Sequence, residues 1–184
     1  MFGDVRTVLA VAVAWAAVGV AAEKPPAVGQ QAKDFELKSI GGEAVKLAEL
    51  TAKGPVVLVV LRGYPGYQCP LCTRQVGELI GQADAVKKAG GQVVLVYPGP
   101  ADGLKAHAEE FVRGKDYPAH YHLVLDPDYT FTNSYGLRWD ARNETAYPST
   151  FVLGKDRTVR FAKVSKSHGD RAKTADVVKA LPAN

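Results

Sequence analysis

The chain's only two cysteines, Cys69 and Cys72, form a C-x-x-C, and their setting limits the fold more than any other feature of the 184 residues. Ahead of them the apolar run at 56–61 reads as a buried strand. Behind them Val76, Leu79, Ile80, Ala83 and Val86 recur at helical spacing and line one face. The pair therefore falls where a strand hands over to the N-terminal end of a helix. Free backbone N–H groups and the helix dipole favour an anion there, and a thiolate is one. At least one thiol is expected to ionise more easily than free cysteine, which marks a redox-active sulfur. Cys72, four residues before Val76, is expected on the inward face of the first turn, where the dipole is felt. Cys69 precedes Pro70, a good first helical residue, and is expected outside the helix as the more exposed sulfur. A structural disulfide of this spacing would restrain little unfolded-chain entropy. A zinc site normally takes four ligands, and no second C-x-x-C exists.

The first 22 residues carry an unbroken apolar run at 8–20, with Arg6 before it and Ala21-Ala22 after it. This reads as a secretory signal cleaved after Ala22, too short to span a bilayer comfortably, so the mature chain is expected to be exported, periplasmic or extracellular, with no stable membrane insertion. Arg6 and Asp4 leave together, so the net charge stays +4. The basic residues are scattered, with no stripe of interleaved aromatics, which argues against nucleic acid as a partner. In an oxidising compartment the pair stays oxidised unless an external thiol reduces it.

Residues 23–33, with Pro25 and Pro26, read as a flexible lead-in to one domain at 34–184. Segments 34–37 and 44–47 flank Gly41-Gly42 as a short hairpin, and 48–53 suits a turn of helix. A helix is expected over 70–89, closed by Gly90-Gly91, then a buried strand at 92–97 and a helix at 104–112. A short strand at 123–125, a helical stretch to Gly136, a hairpin of 150–153 with 158–161, and a last helix capped by Thr174 complete the chain. Strands alternating with helices make an α/β domain with a central mixed β-sheet flanked by helices. The cysteines then sit at the C-terminal end of a central strand, where open α/β sheets place their sites.

The C-x-x-C after the first core strand, Asp126-Pro127-Asp128 with Tyr135-Gly136, and Tyr147-Pro148-Ser149-Thr150-Phe151-Val152-Leu153 together resemble the thioredoxin fold. More narrowly, residues 28–181 are similar to the alkyl hydroperoxide reductase/thiol-specific antioxidant family, its peroxiredoxin-like branch. The resemblance implies a thioredoxin-like fold with the N-terminal β-hairpin as an extension. It puts Cys72 in the peroxidatic place, followed by Thr73, and Pro65 in the place of the motif's proline. Cys69 stands where the family has a threonine, and Pro148 where it has an arginine. Pro148 is also where thioredoxins keep a cis-proline facing the C-x-x-C.

Two enzymatic readings use the same atoms. In the peroxidase reading Cys72 attacks the peroxide, Cys69 condenses with the sulfenic acid, and a thiol reductant opens the disulfide. In the reductase reading Cys69 attacks a protein disulfide and Cys72 resolves the mixed disulfide. Pro65, Thr73, Pro148, Tyr147 and Arg62 are the expected substrate-binding residues, with Arg62 and Arg74 the nearest cations to a thiolate. No bound cofactor is expected. A third reading, a copper-binding metallochaperone, draws on His120 and His122 beside the thiols. His107 reads as an exposed helix residue, His168 as part of a polar loop, and Trp139 as core or groove lining.

Overall fold

The computed structural model describes residues 23–182, and the expected signal segment lies outside them. Its sheet has seven strands: β1 (Glu36–Ser39), β2 (Ala44–Lys46), β3 (Val56–Val60), β4 (Gln92–Gly99), β5 (Tyr121–Pro127), β6 (Ser149–Leu153) and β7 (Val159–Val164). The order is β2-β1-β5-β4-β3-β6-β7. β3, β4 and β5 run parallel, while β1, β2, β6 and β7 join antiparallel. This is the expected mixed α/β sheet, with the N-terminal hairpin added at the β5 edge.

β3 is buried along its whole length because both faces are covered. Val57, Val59 and Leu61 pack with Cys69, Cys72, Val76 and Leu79 on one side. Val56, Leu58 and Val60 pack with Leu47, Leu50, Phe131 and Phe151 on the other. The alternation follows from the two-residue repeat of a strand. Each fully buried Val or Leu contributes roughly 1.5–3 kcal/mol relative to exposure. The first face carries α2 (Pro70–Ile80), α3 (Ala83–Lys88), α4 (Leu104–Val112) and α6 (Thr174–Lys179). The second carries α1 (Leu47–Lys53) and α5 (Thr130–Ser134). Buried Asp126 starts α5 by accepting the N–H groups of Phe131 and Thr132 at 2.7 and 2.9 Å.

Three local expectations are corrected. The single helix over 70–89 is two, because Gly81 ends α2 and the Gln82 N–H turns back to the Leu79 carbonyl at 3.0 Å. Gly90, at positive φ, closes α3 as expected. Thr174 does not cap the last helix. Lys173 holds the cap position, and the Thr174 hydroxyl donates to Glu78 at 3.3 Å instead. Residues 29–32, read within a flexible lead-in, are tied along 157–159 by three backbone hydrogen bonds, including Gly29 N–H to Val159 O at 2.9 Å.

Candidate active site

The loop from Leu61 to Cys69 leaves β3 at its C-terminal end and is clamped before it enters α2. Gly63 takes φ +71°, and its Cα lies so close to β4 that a Cβ would sit 1.9 Å from the Pro98 carbonyl oxygen. Gln68 is held three ways: it accepts from the Tyr97 hydroxyl at 3.0 Å and donates to the His107 carbonyl at 2.8 Å and to Glu110 at 2.9 Å. His107 stacks on Tyr64 with ring centroids 3.6 Å apart, so this helix residue fastens the loop instead of facing solvent. Gly63→Ala is expected to cost about 2 kcal/mol or more, since the left-handed backbone alone costs about 1–2 kcal/mol for a residue with a Cβ. Urea unfolding reads this as a lower midpoint at unchanged slope; an unshifted midpoint would show that the loop adapts.

Both sulfurs are buried. Cys69 is 3% exposed and Cys72 1%, so the expected order holds but the difference is small. The Cys69 sulfur caps α2 by accepting the Cys72 N–H at 3.3 Å. The Cys72 sulfur accepts the Arg62 N–H at 3.3 Å. One guanidinium nitrogen, Arg171 Nη2, lies 3.6 Å from the Cys69 sulfur and 3.5 Å from that of Cys72. Its Nη1 donates to Gln75 at 2.8 Å and its Nε to the His168 carbonyl at 2.8 Å, so its position is fixed by neutral acceptors.

These surroundings separate the two thiols. Cys69 is lowered to about 5, first by the hydrogen bond from the Cys72 thiol, then, against the opposing effect of burial, by the Cys72 N–H and Arg171. Cys72 is raised, first by its deeper burial and then by its bond to Cys69. The two thiols titrate as a pair, and these surroundings favour the negative charge on Cys69 and the proton on Cys72. The family resemblance implies Cys72 as the attacking sulfur, whereas these directions favour a thiolate on Cys69.

Other expected site residues are placed differently. The Arg62 side chain turns away from the sulfurs to Glu144 (2.8 Å), Tyr67 (2.6 Å) and the Asn143 carbonyl (2.7 Å), leaving only its backbone N–H at Cys72. Arg74 is a surface cation paired with Glu78 at 2.9 Å. Pro65 and Thr73 are half-buried in the loop and in α2. The donors to sulfur among the described residues are the Cys72 and Arg62 N–H groups and Arg171. Pro148 stands before β6 at the sulfurs' end of the sheet, but no cis peptide bond occurs among the described residues. Tyr147 N–H donates to the Leu137 carbonyl, and the Pro148 carbonyl accepts from Ser165 N–H, which prolongs the β6–β7 ladder. Tyr147 stacks on Trp139 at 4.7 Å, and Trp139 packs on His168 at 5.1 Å. His168 in turn meets Glu144 at 2.9 Å, so it is no bland loop residue. His120 and His122 lie at the start of β5, at the opposite end of the parallel strands from the sulfurs. A hollow of about 420 Å³ lined by Lys53, Lys155 and Arg160 also lies at that far end.

The residues that sequence reasoning missed are Arg171, Gln75, Glu144 and Gln68. The one available signal was the missing arginine at Pro148, which left a thiolate without a cation and so required one from elsewhere.

The sequence model of the AhpC/TSA family matches residues 28–162. The chain is 30% identical over 132 residues to a chloroplastic peroxiredoxin Q of Gentiana triflora, covering 72% of this chain and 56% of that protein. It is 27% identical over 110 residues to the thiol-disulfide oxidoreductase ResA of Halalkalibacterium halodurans, covering 60% and 57%. The chain thus spans just over half the length of these relatives. In fold it is similar to peroxidoxin BcpB of Mycobacterium tuberculosis, with a TM-score of 0.67, 23% identity, and 85% and 96% of the two chains covered. With a strand-to-helix thiol pair and a family match over most of its length, the chain belongs to the AhpC/TSA family.

Proposed function

We propose that this protein is an exported thiol peroxidase in which Cys69 attacks and Cys72 resolves. The Cys69 thiolate attacks the outer peroxide oxygen, the O–O bond breaks, and the leaving oxygen takes a proton to depart as water or an alcohol. The Cys72 thiol then attacks the Cys69 sulfenic acid, water leaves, and a disulfide forms. The observation that carries this reading is the burial of both sulfurs beside one cation and two backbone N–H groups. A peroxide of two or three heavy atoms can reach such a site; a disulfide on a folded protein cannot. The apolar run before Ala22 supports export, and an external thiol would supply the electrons.

A disulfide reductase is the second reading, favoured by the thiolate resting on the first cysteine of the C-x-x-C. Stopped-flow mixing of the reduced protein with hydrogen peroxide and, separately, with a protein disulfide tells them apart. Peroxide is expected to oxidise the pair at least about a hundredfold faster, because thiol exchange requires access to the attacked sulfur. Faster oxidation by the protein disulfide would replace the first reading by the second.

A further inference from the structure

A groove of about 190 Å³ runs between α2 and residues 169–173, and Arg171, whose guanidinium touches both sulfurs, is among the residues that line it. Leu71, Gln75 and Arg171 line it together with Arg74, Glu78 and Lys173. It has room for about six waters at roughly 30 Å³ each, the scale of a small organic molecule. Arg74 and Glu78 are paired, so their charges offset. Arg171 and Lys173 remain, and Lys173 makes no ion pair among the described residues.

Building on the peroxidase reading, we propose that this groove admits the reductant of the Cys69–Cys72 disulfide and selects a small thiol that carries a carboxylate. In the reduced protein the Arg171 charge faces the thiolate. Oxidation of the pair removes two electrons and that negative charge, while Gln75 and the His168 carbonyl keep the guanidinium in place. The groove thus gains one uncompensated positive charge in the state that needs electrons. An anion binds best there, and it is released when the thiolate returns, since coupling between the two is reciprocal. The chemistry balances with two thiols. One thiolate attacks the Cys69 sulfur, the S–S bond breaks, and its electron pair leaves on Cys72, which takes a proton. A second thiolate attacks the bound thiol's sulfur in the mixed disulfide, so that the small disulfide departs and Cys69 regains its thiolate.

The test oxidises the full-length protein with one equivalent of hydrogen peroxide, then mixes it with 3-mercaptopropionate, 2-mercaptoethanol or cysteamine. Reduction rates are compared per concentration of thiolate. The anionic thiol is expected to be about tenfold faster than the neutral one, with the cationic one slowest and the spread shrinking as salt is added. Lys173→Glu is expected to bring the three rates within about threefold of one another, as a reversed rim charge cancels the steering. Equal rates in the wild type, a cationic thiol that is fastest, or an order unmoved by Lys173→Glu would overturn the proposal. The peroxide step is read first and on its own. If it fails, the peroxidase reading fails, and the disulfide made with diamide instead still reads the thiol preference.

Discussion

Cys69→Ser is expected to abolish peroxide consumption, slowing it at least about a thousandfold, because a nucleophile removed from a concerted site is not replaced by its neighbours. Cys72→Ser is expected to consume one equivalent and stop, with one oxygen added to Cys69 in the mass spectrum. The reverse pattern would return the attacking role to Cys72, the sulfur that the family resemblance puts in the peroxidatic place. The pH profile offers an independent check. Under the proposed mechanism the reactive form is the Cys69 thiolate, lowered to about 5, so protonation is what silences it. The wild-type rate is therefore expected to be level above about pH 6 and to fall as pH drops through about 5, whereas an ordinary thiol fades already below about 8.5. A rate that halves near neutral pH would show that the capped helix end and Arg171 do not hold the charge.

Glu144→Gln should give the largest loss of stability. The Arg62 side chain is 3% exposed, and Glu144 is its carboxylate partner at 2.8 Å. Removing one partner of a buried pair leaves the other charge uncompensated, at about 3–5 kcal/mol. For a chain of this size that lowers the melting temperature by roughly 10 °C. Burial alone would raise the Glu144 carboxyl, but hydrogen bonds from Arg62 and His168 outweigh it and hold it below its usual value. A group depressed in the folded state stabilises above its unfolded value near 4.3 and loses that contribution as pH falls through the lower folded value. The gap between wild type and variant is thus expected to be full at neutral pH and to narrow below about pH 4. Glu49→Gln, at an exposed pair with Lys46, serves as the comparison and is expected to cost at most about 1 kcal/mol. A Glu144→Gln loss no larger than that would show the Arg62 pair to be dispensable.

The sheet was legible because its signals are local. The valine run of β3 announces a strand covered on both faces, and the periodicity behind Cys72 announces the helix. The break at Gly81 was hidden because Val76, Leu79 and Val86 keep a spacing that suits either one helix or two. The sulfurs were legible as a pair, yet their division of labour was not. It depends on which sulfur lies deeper and which caps the helix, and both are properties of the packed loop. Arg62 illustrates the other limit: adjacency in sequence put its backbone at Cys72, while Glu144, 82 residues later, drew its side chain away.

Arg171 stands 102 residues after Cys69. At about 5–20 residues per second of synthesis, the thiols are made roughly 5–20 seconds before the guanidinium that faces them. Throughout that interval the sulfurs lack their cation, and for most of it β3 also lacks its partner strand β6. The site therefore matures last, when the segment between β7 and α6 docks. Until then the Cys72 thiol and N–H act on Cys69 without the added charge of Arg171.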